Sequence, residues 1–218
     1  NPDFKPFILS VCLCCLRLFI MEDVYKTIKE PAEGLYKEKG SRFIALAYPV
    51  ENEDEIKTIV ACLKEQYYDA RHHCFAWRLG VAKTCFRVND DGEPSSTAGK
   101  PILGQIQSQD LTNILIVVVR YFGGTKLGVS GLINAYREAA TDVLRNAVVI
   151  EKTVDERLRI RFSYLVMNDI MKIVKEEVPE ILERHFELEC EMLLSIRQKD
   201  MPVLRSRLAQ IESVDFLD

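Results

Sequence analysis

From Asn113 to Tyr121 the chain reads Asn-Ile-Leu-Ile-Val-Val-Val-Arg-Tyr, an almost continuous apolar run. Its β-branched content and lack of polar alternation fit a strand covered on both faces at the centre of a sheet. A strand of that kind exists only where enough apolar material is available to cover it. Here 48% of 218 residues are hydrophobic, and that length allows one large or two small domains with real cores.

Around this strand the pattern is mixed. Val24 to Val50 reads as short strands punctuated at Glu30-Pro31 and Glu33-Gly34, which predicts an antiparallel start. Asn52 followed by Glu53, Asp54 and Glu55 marks a helix N-terminus, and Ile56, Ile59, Val60, Leu63 and Tyr67 recur at helical spacing. His72 to Leu79 and Thr84 to Val88 are strand candidates joined around Gly80. After the apolar run, Leu132, Tyr136, Ala139, Val143 and Ala147 form the buried stripe of a second helix.

No glycine follows Gly131, and near Ile150 a new pattern begins, which places a domain boundary there. Leu158, Ile160 and Phe162 alternate with Arg157, Arg159 and Arg161, and Phe186 to Ile196 continues a period of two. Val166, Ile170 and Ile173 read as a helix stopped near Pro179, Asp200 and Pro202 open a last helix, and Val214 to Leu217 can close the sheet. Whether Ile181 to Ile196 is one strand or a hairpin stays open, because it holds no Gly or Asn turn. A ferredoxin-like split βαβ unit is the expectation for residues 151–218. Its arginine row resembles an RNA-binding surface, but Glu187, Glu189 and Glu191 fall on the strand expected beside it and can pair with it.

Residues 1–20 stand apart. Phe7 to Ile20 is an apolar run broken by Ser10 and Arg17, too short for a membrane helix of about 20 residues and without the basic start and small-residue site of a signal peptide. With Met21 a natural initiator, residues 1–20 are expected to be an extension outside the fold, leaving residues 21–150 and 151–218 as the two domains. Seven cysteines, an odd number whose one Cys-x-x-Cys spacing (Cys12 to Cys15) lies in the apolar run and has no second such pair, fit neither a disulfide scaffold nor a zinc site. They point to a reducing, cytoplasmic setting with no membrane contact. A net charge of −4 excludes whole-protein electrostatic attraction to nucleic acid.

Seven of the ten glycines lie between Gly92 and Gly131, six of them in two loops that each precede a helix-like segment. The first, Asp90 to Pro101, is rich in acids and hydroxyls, with Ser96 or Thr97 placed to cap the next helix. The second, Arg120 to Gly131, joins the covered strand to a helix capped by Ser130. Strand, glycine loop and helix N-terminus together can hold an anion. The candidate anion-binding residues are Gly123, Gly124, Lys126, Gly128, Ser130 and Gly131, with Arg120 and Lys100 as second-row cations. The spacing matches neither a P-loop nor a dinucleotide fingerprint, and the same glycines also fit tight turns and close packing. Residues 71–146 carry nine basic and six acidic side chains, so the positive side coincides with these loops.

Asp90, Asp91 and Glu93 form a candidate acidic or metal loop, although three acids around one glycine also make an ordinary solvated turn. His72, Ser95 and Ser96 are a candidate polar site. No catalytic residue, resident metal or cofactor is assigned.

The strings DARHHCFAW (Asp69 to Trp77), DDGEPSSTAGKPIL (Asp90 to Leu103) and VVVRYFGGTKLGVSGLINAY (Val117 to Tyr136) resemble the signature of the IMPACT/YigZ family, with the same order and similar spacing. Ser96 and Ser130 stand where glycine is usual. The resemblance implies an α+β chain: a ribosomal protein S5 domain 2-like N-terminal domain followed by a ferredoxin-like, elongation factor G domain V-like C-terminal domain. It implies no established enzymatic activity. Members with the eukaryotic layout carry a further partner-binding domain and restrain a translation-control kinase; that domain is not found in this sequence, so the role is not carried over. The expectation is a binding or regulatory protein around RNA or the ribosome, with a regulatory protein partner. The alternatives are an enzyme acting on a phosphorylated or acidic small molecule, using Asp90, Asp91 or His72, and an interaction adaptor. The sequence sets no oligomeric state.

Overall fold

The computed structural model describes residues 23–217; the expected extension at residues 1–20 lies outside them. The described chain forms two compact units, Val24–Val154 and a second beginning at Asp155.

The first unit contains β1 (Val24–Ile28), β2 (Ala32–Glu38), β3 (Ser41–Pro49), α1 (Glu53–Gln66), β4 (His72–Leu79), β5 (Cys85–Asn89), α2 (Gly99–Ser108), β6 (Ile114–Tyr121), α3 (Gly128–Asn146) and β7 (Val149–Thr153). Strands β2-β3-β6-β4-β5 make an antiparallel sheet with β6 in the middle. Side chains of β6 point alternately to its two faces. Leu115, Val117 and Val119 meet Ile56 and Leu63 of α1, together with Leu46 and Trp77. Ile114, Ile116 and Val118 belong to the opposite core, with Ile102 and Ile106 of α2 and Leu132, Tyr136 and Val143 of α3. Residues 114–119 are therefore 0% exposed, each contributing up to about 1.5–3 kcal/mol of burial. This double cover is why the strand reads as one apolar run. Under α2 and α3 the sheet presents Ala45, Ala47, Cys74 and Ala76, small side chains that let the helices approach closely.

Asn52 caps α1 as its sequence predicts, its Oδ1 accepting from the backbone N–H groups of Asp54 and Glu55 at 3.1 and 2.9 Å. The chain end of the unit returns to its beginning, because β7 pairs antiparallel with β1 from Val24↔Thr153 to Ile28↔Val149. The expected division near Ile150 thus falls inside a paired strand.

The second unit contains β8 (Asp155–Ser163), α4 (Met167–Glu177), β9 (Glu180–Phe186), β10 (Glu189–Arg197), α5 (Met201–Leu208) and β11 (Val214–Leu217). Its sheet order is β11-β8-β10-β9 with every neighbour antiparallel. Residues 181–196 form a hairpin turning at Glu187 and Leu188. Leu158, Ile160, Phe162, Met192 and Leu194 pack against Ile170, Ile173, Leu204 and Leu208. On the other face Arg161 pairs with Glu191 at 2.8 Å and Arg159 with Glu183 at 2.8 Å. The charged rows do bind each other, but through Glu183 and Glu191; Glu189 sits opposite Ser163 and Glu187 lies in the turn. Asp200 occupies the position before α5 without a side-chain cap. Among the described residues no helix is long and apolar enough to cross a membrane.

Candidate functional site

The acidic loop is built by its own side chains. Asn89 Oδ1 accepts from Asp91 N at 2.7 Å, and the chain turns through left-handed backbone at Asp91 (φ 40°) and Gly92 (φ 86°). Asp90 then reaches forward: its Oδ2 accepts from Ser96 N at 2.8 Å, and its Oδ1 from Ala98 N at 3.1 Å and Gly99 N at 2.8 Å. The cap of α2 is therefore Asp90 and not Ser96 or Thr97. A carboxylate eight residues upstream supplies charge as well as acceptors to the helix start. Ser96 adopts φ 66°, so the left-handed conformation expected of a glycine is kept with serine in place. Thr97 Oγ1 donates to Pro94 O at 2.6 Å.

Asp91 turns the other way, accepting from His73 N at 2.7 Å and from Lys64 Nζ at 3.1 Å. Burial pushes its pKa up, but the His73 N–H and Lys64 outweigh burial and hold the carboxyl below its ordinary value. Glu93 points inward, its side chain only 4% exposed, and pairs with the Arg120 guanidinium. The Tyr136 hydroxyl donates to the same carboxylate oxygen at 2.9 Å. The three acids thus diverge to three sets of partners. Among the described residues no group of three or more His, Cys, Asp or Glu side chains is placed to hold a metal ion.

Beside Glu93 stands His72. Its Nδ1 lies 2.8 Å from Asp91 O; a carbonyl only accepts, so Nδ1 carries the hydrogen. In the neutral ring Nε2 is then the unprotonated nitrogen, 3.9 Å from Glu93 Oε1. Cys74 is buried, with Sγ 3.0 Å from Asp90 O and 3.3 Å from the Tyr136 hydroxyl. Burial pushes its thiol pKa up to about 12, so it is neither a thiolate nor a nucleophile at neutral pH. Tyr136 is raised as well, first by burial. The Arg120 guanidinium lies between two rings, 5.4 Å from the centroid of Phe43 and 5.7 Å from that of Phe122, and its Nε is buried without a hydrogen-bond partner.

The glycine loop has a different local logic. Gly123 N donates to Ser41 Oγ at 3.1 Å, and a Cβ on Gly123 would fall 1.9 Å from the Gly40 carbonyl carbon. Here the glycine exists for packing against the β2–β3 turn. Gly124 (φ 86°) and Gly128 (φ 71°) serve backbone conformation instead, with no atom within 4 Å of where a side chain would stand. Helix α3 begins at Gly128, with Leu127 before it and no side-chain cap. Ser130 is therefore the third helical residue and does not cap. A left-handed glycine lets the helix start two residues before the serine, and its first N–H groups are left without side-chain acceptors.

Both loops and the start of β4 converge on a cleft of about 460 Å³. Arg71, His72, Glu93, Arg120 and Lys126 form its polar lining; Pro94, Phe122, Leu127, Val129 and Leu132 form its apolar lining, with Gly92 and Gly128 at the edges. Of the sequence candidates, His72, Glu93, Arg120, Lys126 and Gly128 meet there. Lys100 and Ser95 are exposed elsewhere, and Ser96, Asp90, Asp91, Gly123, Gly124, Ser130 and Gly131 support the walls without lining them. Arg71, Phe122 and Tyr136 were not singled out from sequence. The available signal for Tyr136 was a hydroxyl on an otherwise apolar stripe, which needs a buried partner.

A cleft between two loops on a sheet covered on both faces, followed by a small β-α-β-β-α-β unit, defines a two-unit protein of mixed helices and antiparallel strands with an amphipathic, partly cationic groove. The chain belongs to the IMPACT family. The family model described as Impact N-terminal domain matches residues 39–144, a span that holds both loops. IMPACT family member YvyE of Bacillus subtilis is 32% identical over 176 residues, covering 81% of this chain and 81% of its own. IMPACT family member YigZ of Escherichia coli is 39% identical over 117 residues, covering 53% and 57%. A solved structure described as a hypothetical protein superposes with a TM-score of 0.69 at 27% identity, covering 89% of this chain and 97% of its own.

Proposed function

We propose that this protein is a binding or regulatory module that holds phosphate groups of RNA, or of the translation apparatus, in the cleft between its two loops. The observation that carries the reading is the convergence of Arg71 and Lys126 with the uncapped first turn of α3 on one groove, where the charge of Arg120 is met by Glu93. Partial positive charge at a helix start and full charges on side chains both favour an anion there. The cytoplasmic setting belongs to the same proposal. So do the two fold assignments: the S5 domain 2-like one rests on the family resemblance, and the ferredoxin-like one is supported by the sheet order β11-β8-β10-β9.

Purified protein should be titrated with a single-stranded RNA oligomer, a ribosomal fraction and nucleotides at two salt concentrations. Lys126→Ala is expected to weaken phosphate binding by about 1 to 2 kcal/mol and to reduce the salt slope by about 0.7, with the melting temperature unchanged. If Lys126→Ala leaves every one of these interactions unaltered, the groove is a packing feature, and a regulatory protein partner becomes the leading reading.

One observation favours a second reading. His72 has its Nδ1 hydrogen fixed by Asp91 O, so that in the neutral ring Nε2 is the free nitrogen beside Glu93 in a groove with cationic walls, the arrangement of a general base. On an enzyme acting on a phosphorylated small molecule, His72→Gln would abolish turnover while ligand affinity stayed within a fewfold.

A further inference from the structure

We propose that the groove takes a nucleoside phosphate, with the base stacked on Phe122 and the phosphate held by Lys126, Arg71 and the first turn of α3. This rests on the phosphate-binding reading above and adds to it the chemistry attached to the phosphate.

Phe122 is an aromatic residue at 50% exposure, directly after the strand whose other residues are almost all buried. Burial does not hold its ring. One side of it meets the guanidinium of Arg120, which in turn lies on the buried ring of Phe43. Arg120 cannot swing away, because Glu93 pairs with it inside the protein and the Tyr136 hydroxyl holds Glu93. Arg120 therefore ties the half-exposed Phe122 ring to the buried Phe43 ring, with its guanidinium 5.7 and 5.4 Å from their centroids, and leaves Phe122 open to solvent. Side chains of this kind are stacking platforms for bases.

The remaining lining agrees. An inorganic anion would use only the cationic side of the groove and leave Leu127, Val129 and Pro94 unused, although Val129 is 59% exposed. A nucleoside phosphate has one charged end and one flat, largely apolar end, and a groove of about 460 Å³ falls within the range of small-ligand sites. Glu93 is the single carboxylate in the lining, and its charge is already met by Arg120. The open space beside Gly128 lets a phosphate oxygen come up to the backbone.

Binding should be measured for inorganic phosphate, adenosine monophosphate and a six-nucleotide adenylate RNA. The variants are Phe122→Leu, which keeps an apolar side chain but removes the π face, and Lys126→Ala. Phe122→Leu is expected to weaken the mononucleotide and the RNA by roughly 5- to 100-fold and inorganic phosphate by less than about twofold, while Lys126→Ala weakens all three. Tighter binding of RNA than of the mononucleotide identifies a strand as the source; equal binding identifies free nucleotide. If Phe122→Leu leaves both nucleosidic ligands unchanged while Lys126→Ala still weakens them, the base is not on Phe122, and only the phosphate reading stands. Equal loss for inorganic phosphate also overturns the inference, since the ring would then act only through the placement of Arg120. If Lys126→Ala changes nothing, both readings fall. A readout free of substitutions is the fluorescence of an RNA carrying 2-aminopurine: stacking on the intact protein quenches it, and an unquenched, bound RNA overturns the proposal.

Discussion

Glu93 and Arg120 illustrate how little a residue's neighbours in sequence say about its partner. The acid sits in a loop of turn formers and the base at the end of an apolar strand, and each alone reads as exposed. Folding places them together with side-chain exposures of 4% and 7%, and taking one partner away leaves a buried charge. Glu93→Leu should therefore cost about 3 to 5 kcal/mol in urea unfolding, with much of the loss recovered in Glu93→Leu/Arg120→Met; equal instability of the double variant would show that the site needs the ion pair itself. His73, one residue from the groove, makes the pH prediction. Burial lowers its pKa below the usual 6.5, against the pull of Asp91 toward the charged form. The unfolded chain then takes up the proton first, so stability is full above about pH 6.5 and is lost as the pH falls below it toward the folded value. The difference in melting temperature between pH 7.5 and 5.5 should shrink in His73→Phe. Sequence indicated that His72 and His73 face opposite sides of a strand, through the period of two, but not which of them would be the buried neutral one, because that depends on which face α1 covers.

At the scale of elements, helical periodicity placed α1 and α3, whose burial repeats along the chain, and an unbroken apolar run placed β6. Helix starts were less legible. Local capping rules named Ser96, Thr97 and Ser130, yet α2 is capped by Asp90 through a folded-back loop and α3 starts without a side-chain cap. Glycine density left ligand contact and close packing open as alternatives, and the glycines divide by cause. Gly123→Ala should disrupt the fold, since its methyl group would overlap the backbone of Gly40 and Ser41. Gly128→Ala meets open space and should cost only about 1 to 2 kcal/mol for the left-handed backbone. Thermal melts of the two variants side by side check this, and similar small losses would mean the β2–β3 turn yields easily.

Across the whole molecule, the change of pattern near Ile150 falls a few residues short of the unit's end at Val154 and inside β7, because no local signal tells a strand that its partner lies 123 residues earlier, as Thr27 does for Ile150. A fragment of residues 23–154 should melt as one cooperative unit, while residues 23–147, lacking β7, should melt at a lower temperature and lose amide-exchange protection over Val24–Ile28. An unaltered midpoint in the shorter fragment would make the ribbon an ornament. The β1–β7 pairing also decides how this unit meets a mechanical load. Val24 lies opposite Thr153, so the points where the chain enters and leaves are at the same end of the ribbon. Tension applied through them pulls the two strands apart sideways, opening one rung after another from that end, and never loads all the rungs together in shear. The ribbon is a zipper that yields at low force before the five-stranded sheet feels any strain.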